Sequence, residues 1–324
     1  MRFGSVAGRT DVVRHALKQA GAFVVLCWVS GALYASGSPS PTADEDAQDV
    51  LLWYRNYDSP AIRGLLELAL NKTPEYGPYH LVRSQEMNQG RALREMARDN
   101  RKAVQVANVA TTPDREDNML AVQIPIDGGL LGYRVCVTTP QMLDRFEGVE
   151  RLADVRERHI RFGQGRHWPD TRVLEANGLD VVTHTRFETL FEMLDSGRFE
   201  CFARGVSEVV YDLKLQKDPR FVVEPTLMFT YTMPSYFFVG SGDYPLAVRI
   251  QLGLERSIAD GSFVEYLNRY FTEPLEALNL TGRRVFHLGN PWLPGGAYGI
   301  SKDVLQNMKV QIQLGDTRSP DLEP

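Results

Sequence analysis

Residues 243–271 read DYPLAVRIQLGLERSIADGSFVEYLNRYF. Leu246, Ala247, Ile250, Leu254 and Ile258 recur at steps of three and four, which sets them on one face of a helix. Asp260, Gly261 and Ser262 break the pattern. Gly261 suits the left-handed residue that stops a helix, and Ser262 suits the cap of the next one. Phe263, Tyr266, Leu267, Tyr270 and Phe271 then resume an apolar face. The stretch predicts a hairpin of two helices, and packing alone accounts for its apolar residues.

Upstream, the periodicity predicts a strand over 50–54, a helix over 59–70 and a strand over 79–83. A helix over 86–99 and a strand over 103–109 follow. Ser59 before Pro60 marks the first helix start. This β-α-β-α-β order implies parallel pairing and an α/β lobe. Asp127, Gly128 and Gly129 interrupt the chain. Strands over 130–138, 160–162, 181–182 and 199–203 then alternate with helices over 149–156, 170–177 and 187–194, giving a second lobe. The apolar run 222–231 is read as the return to the first lobe. The expected organisation is a first lobe from 49–128 and 223–300, a second lobe over 129–222 and a loose tail over 301–324. Crossings fall near 126–130 and 222–230.

The N-terminus has Arg2, Arg9, Arg14 and Lys18 before the apolar run AGAFVVLCWVSGALYA, residues 20–35, closed by Ser36 and Gly37. Basic, apolar, small is the order of a secretory signal peptide over 1–37. A retained anchor is the alternative, although the run is short of the roughly 20 residues that span a bilayer. Residues 38–48, rich in Ser, Pro, Asp and Glu, read as a disordered leader. The chain of 324 residues carries a net charge of −5, and loss of the basic segment makes the remainder more acidic. Such a body is a poor match for nucleic acid, which rewards clustered Lys and Arg. Beyond Cys27 the cysteines are Cys136 and Cys201. Both lie in apolar, strand-like contexts. Two buried thiols is the favoured reading, and one disulfide is the alternative that an oxidising compartment permits.

Four segments together carry a resemblance. A helix, ADGSF and a second helix ending in an aromatic pair, as in 243–271, resemble the closing segment of bacterial solute-binding proteins of family 3, the amino-acid type. ATTPDRE, residues 110–116, resembles the family's T-x-x-R-E block. FGQGRHWPDTRVLEANG, residues 162–178, resembles its strand–glycine–helix turn, and LFEMLDSGRFECFARGVSE, residues 190–208, its L-x-x-G-r-x-D-a segment. More closely, IDGGLLGYR (126–134) and GQGRHWPDT (163–171) resemble a lone, divergent subgroup of exported proteins. The resemblance implies a two-lobed α/β fold, the type II periplasmic binding fold, each lobe a mostly parallel sheet flanked by helices. It implies a small-molecule ligand in the cleft, hinge closure and delivery to a membrane permease or a sensor in the periplasm.

It also implies site residues. Arg115 would take a ligand carboxylate through its planar fork, with Thr111 or Thr112 adding a hydroxyl. Gln164 and Gly165 would present the second lobe's turn, Trp168 would stack, and Tyr57 and Tyr231 would wall the cleft. The family places an aspartate after the strand at 199–203; this chain has Arg204 and Gly205 there, with Glu208 a turn later. Arg204 would then attract a second anionic group, which leaves open whether the ligand is an α-amino acid.

H-E-x-x-H, G-x-S-x-G and P-loop patterns are absent from the sequence, and Gly163-x-Gly165 is followed by Trp168 where a dinucleotide fingerprint needs glycine. The expectation is a binding protein without catalysis, cofactor or metal. The alternatives are a dehydratase-like enzyme on the same fold, with Glu208 or Glu200 as acid and Arg115 holding a carboxylic acid, and an interaction protein that binds no ligand.

Overall fold

A computed structural model describes residues 47–293. The expected export segment, nearly all of the leader and the tail lie outside the described residues. The chain opens with β1 (Gln48–Leu52), α1 (Tyr54–Asp58) and α2 (Pro60–Asn71), and Ser59 Oγ accepts from Ile62 N at the start of α2. β2 (Tyr79–Arg83), α3 (Gln89–Ala97), β3 (Val106–Ala110), α4 (Pro113–Asn118) and β4 (Met119–Val122) follow. A 3₁₀ turn over Leu130–Gly132 leads into β5 (Tyr133–Thr138). Next come α5 (Leu152–Glu157), β6 (Phe162–Gly165), α6 (Asp170–Ala176), β7 (Val181–His184), α7 (Phe187–Asp195), β8 (Cys201–Gly205) and α8 (Val209–Gln216). Short strands β9 (Val222–Val223) and β10 (Leu227–Thr230) precede β11 (Ser235–Gly240), α9 (Tyr244–Ala259), α10 (Ser262–Leu278) and β12 (Arg284–His287).

The first sheet has the order β2-β1-β3-β11-β4, and the second β12-β10-β5-β8-β6-β7 with β9 beside β5. β1 is parallel to β2 and β3, and β6 is parallel to β7 and β8, as the β-α-β order requires. Each sheet also takes one antiparallel strand from the chain that has just crossed from the other. β11 lies antiparallel between β3 and β4, and β5 antiparallel between β8 and β10. The two lobes therefore complete each other.

The first crossing, between β4 and β5, includes the expected 126–130. The second differs from the expected 222–230. β9 and β10 are strands of the second sheet, with Phe229 opposite Arg134, and the chain returns only through 231–234. An apolar run marks a buried strand but does not say which sheet buries it. β12 departs from the expected first-lobe return as well, because it pairs in parallel with β10 and brings the chain back to the second sheet after α10.

The hairpin of α9 and α10 forms as predicted. Leu246, Ala247, Ile250 and Leu254 are buried, and Gly261 turns the chain at φ +84°. The caps differ: Ser262 is the first residue of α10, and its hydroxyl bonds Asp260 at 2.6 Å instead of capping. α9 packs on α2, and one apolar cluster runs from Val50, Leu66 and Phe237 of the first lobe to Val135, Leu190 and Phe202 of the second.

The cysteines correct the favoured reading. Cys136 on β5 and Cys201 on β8 form a disulfide, with Cα atoms 4.8 Å apart. The register puts Cys136 opposite Ala203, so Cys201 lies two residues along the neighbouring strand on the same face.

Candidate functional site

A cleft of about 790 Å³ opens between the sheets. Trp53 and Ala110 line it from the carboxyl ends of β1 and β3, and Gly165 and Arg204 from those of β6 and β8. Ligands of open α/β sheets bind at such strand ends. At the mouth, Tyr211 Oη donates to the Asp58 carbonyl at 2.5 Å and Arg55 meets Glu188 at 3.4 Å, so the lobes touch across the opening.

Arg115 enters from the first lobe. Pro113 occupies the first turn of α4, and Thr112 Oγ1 accepts from Arg115 N, which fixes the residue at the helix start. The guanidinium is buried and donates to the Ala110 carbonyl, to Gln89 Oε1 at 2.8 Å and to the His167 carbonyl at 2.9 Å. All three acceptors are neutral. Burial pulls its pKa down to about 10, against the fields of Asp170 and Asp114, so the charge persists at neutral pH.

The second lobe presents a ladder of alternating charge. Arg134 reaches Asp170 at 2.6 Å and Glu208 at 3.5 Å. Arg204 reaches the same Glu208 oxygen at 3.1 Å and Asp212 at 2.8 Å. Val135 pairs with Arg204 and Arg134 with Gly205, so the two arginines leave opposite faces of β5 and β8 at the cleft edge. Glu208 straddles that edge. Gly205 makes the meeting possible: a Cβ there would lie 3.0 Å from Arg134 Nη1 and 3.1 Å from Glu208 Oε2. Arg204 also stacks 4.8 Å from the Trp168 ring, which lies parallel to Phe202 at 6.2 Å.

Asp127 lies where the first crossing enters the cleft. It is buried, and accepts from Ser207 Oγ at 2.8 Å and from Gly129 N at 3.1 Å. Burial pushes its carboxyl up to about 6, outweighing those donors. Among the described residues no group of three or more His, Cys, Asp or Glu is arranged to hold a metal ion.

Of the residues expected at the site, Arg115, Gly165, Trp168 and Arg204 line the cleft. Gly165 is needed for the wall, since a Cβ there would meet the Trp168 ring at 2.5 Å. Arg204 does not stand ready for an anion, because Asp212 and Glu208 already hold it. Thr111 bonds Glu116, and Thr112 spends its hydroxyl on the cap of α4. Tyr57 is turned away by the single turn of α1 and lies against Arg63, whereas Trp53 and Tyr54 line the cleft. Gln164 is fully buried behind the wall and donates to the Ala203 carbonyl. Tyr231 is buried as well, donating to Asp170 at 2.6 Å. Arg134, Asp127, Asp170 and Asp212 were not expected as site residues. The first three lie within the stretches 126–134 and 163–171, so those motifs were the available signal.

Solved structures resemble this arrangement. A periplasmic binding protein of Salmonella typhimurium with high arginine specificity is 15% identical, over 70% of this chain and 100% of that one, with a TM-score of 0.51. An amino acid ABC transporter substrate-binding protein from Streptococcus pneumoniae, bound to L-arginine, is 9% identical over 71% and 95%, with a TM-score of 0.52. A periplasmic His/Glu/Gln/Arg/opine family-binding protein from Silicibacter pomeroyi, in complex with lysine, is 11% identical over 69% and 97%, with a TM-score of 0.51. No protein-family model and no curated protein matches the chain. At such identities the likeness is one of fold. The chain carries the two-lobed type II periplasmic binding fold of these amino-acid-binding proteins.

Proposed function

We propose that this chain is an exported solute receptor that captures a small carboxylate-bearing ligand in the cleft by closure of its two lobes. The observation that carries this reading is Arg115: a buried, charged guanidinium in the cleft whose own acceptors are all neutral. A carboxylate would supply the missing countercharge through charge-assisted bonds. The opposite wall has the reverse balance, since two arginines stand among three carboxylates. A dipolar, amino-acid-like ligand therefore suits the cleft, with its cationic group toward Glu208. The neighbours bound to arginine and lysine support that class. A permease or a membrane sensor would receive the closed form, and a periplasmic location fits both the neighbours and the basic–apolar–small N-terminus. Among the described residues no helix is long and apolar enough to cross a membrane.

The enzymatic alternative draws less support. Glu200 lies outside the cleft lining, ion-paired with Arg161 at 2.7 Å, and Glu208 is engaged by two arginines. The test is thermal unfolding and calorimetric titration against amino acids, dicarboxylates and keto acids. A ligand at 100 times its dissociation constant stabilises by about 2.7 kcal/mol. A hit lost in Arg115→Ala supports the receptor. A blank panel, or a hit indifferent to Arg115→Ala, overturns the carboxylate anchor.

A further inference from the structure

A second groove, of about 660 Å³, lies on the outer side of the Arg115–His167 contact. Its banks belong to different lobes: α3 and α4 on one side, residues 166–169 and α6 on the other. Arg94 enters from α3, Arg166 from the turn after β6 and Arg172 from α6. None of these three guanidiniums has an ion pair or hydrogen bond among the described residues. Asp114 is the one carboxylate among the groove's described lining residues, and it accepts from the Asn118 side chain at 3.2 Å. Trp292 also lines the groove, and its indole N–H is buried without an acceptor among the described residues.

His167, on the seam, reports the local field. Its pKa is lowered first by burial, then by Arg94, Arg166 and Arg115. Arg94 and Arg166 thus place like charges on opposite lobes around one imidazole, and their repulsion opposes closure. An anion between them would turn that repulsion into attraction.

We propose that this groove binds a free, multivalent oxyanion of the phosphate type, held jointly by Arg94 of the first lobe and Arg166 and Arg172 of the second. Because the donors come from both lobes, the anion binds the closed arrangement best and shifts the population toward it. Anion and cleft ligand are then positively coupled, each raising the affinity of the other. The site itself does not depend on what the cleft binds.

The experiment is a titration of the full chain with inorganic phosphate, with sodium chloride adjusted to hold ionic strength constant. Thermal unfolding and small-angle scattering are the readouts. The expected result is a saturable rise of several degrees in Tm with a smaller radius of gyration. Both responses are lost in Arg94→Gln and in Arg166→Gln, one variant in each lobe, and kept in Arg198→Gln, an exposed arginine elsewhere on the second lobe. A Tm rise no larger than in chloride overturns the proposal, as does a rise that survives both groove variants. Binding to phosphatidylglycerol vesicles without any response to free phosphate would assign the groove to a lipid surface and overturn it too.

Discussion

Arg134 and Asp170 meet at 2.6 Å with side-chain exposures of 3% and 6%, and in doing so they join the ends of two sequence motifs. Arg134 ends IDGGLLGYR and Asp170 lies near the end of GQGRHWPDT. The first motif carries the crossing into β5, and the second the turn from β6 into α6. Tyr231 Oη donates to the same Asp170 oxygen, so the chain just after β10 is tied to the same point. Two segments that line the cleft and a third buried behind them thus share one carboxylate.

Removing that carboxylate leaves a buried cation and a buried hydroxyl without their partner. Asp170→Ala should cost about 3–5 kcal/mol, the usual penalty for breaking a buried pair from one side. Asp170→Asn keeps an acceptor and should cost less. Urea unfolding of both variants measures the difference, and equal losses would mean that the retained acceptor contributes nothing and that the charge carries the whole effect.

Asp127 gives stability a pH dependence of defined sign. Its carboxyl is raised from 3.8 to about 6, so the folded chain holds this proton more tightly than the unfolded chain. The contribution is fully present below about 4 and is lost as the pH climbs through 6. Above that the ionised group costs about 3 kcal/mol relative to one that does not titrate. Asp127→Asn can still accept from Gly129 N and bond Ser207. It should raise the unfolding free energy at pH 7.5 by about 1–3 kcal/mol, with the gain vanishing by pH 4. A gain equal at both pH values would reject burial of this carboxyl as the cause.

Much of the architecture was legible because it rests on local pattern. The face of Leu246, Ile250 and Leu254 and the stop at Gly261 are written in consecutive residues. The alternation from β1 to β3 is likewise periodic. What was hidden depends on contacts between distant segments. Leu227–Thr230 reads as a strand in either sheet until its pairing with β5 is known. α4 comes from PDREDN, which has no apolar period to announce it. Arg204 reads as an open anion receptor because Asp212, eight residues on, reaches it only after the chain turns from β8 into α8. Tyr57 reads as a cleft wall, yet one turn of α1 decides which aromatic side chain enters.

The disulfide was hidden for the same reason, and its weight follows from the 65 residues it spans. In the chain-entropy account a loop of that length is worth about 4 kcal/mol. Replacing both Cys136 and Cys201 with Ala should lower the unfolding free energy by about 2–5 kcal/mol. Reduction of the wild type should reproduce the loss. A double variant as stable as the oxidised protein would count against the bond as a structural element.

Gly90 offers a test of whether the lobe contact governs ligand capture. It sits on α3 of the first lobe, and a Cβ there would lie 2.6 Å from Cδ2 of the His167 ring in the second. The backbone of His167 cannot simply retreat without losing the Arg115 bond to its carbonyl. Within α3 alone, Gly90→Ala should stabilise by up to about 1 kcal/mol, because alanine is the better helix former. Across the seam it is an overpacking substitution with a cost of about 1–3 kcal/mol. The two effects separate by experiment. If closure brings these residues together, Gly90→Ala should enlarge the radius of gyration and weaken ligand binding while α3 and the first lobe stay folded. Raised stability with unchanged scattering and unchanged affinity would mean that the imidazole swings aside freely and that the seam at His167 does not control the cleft.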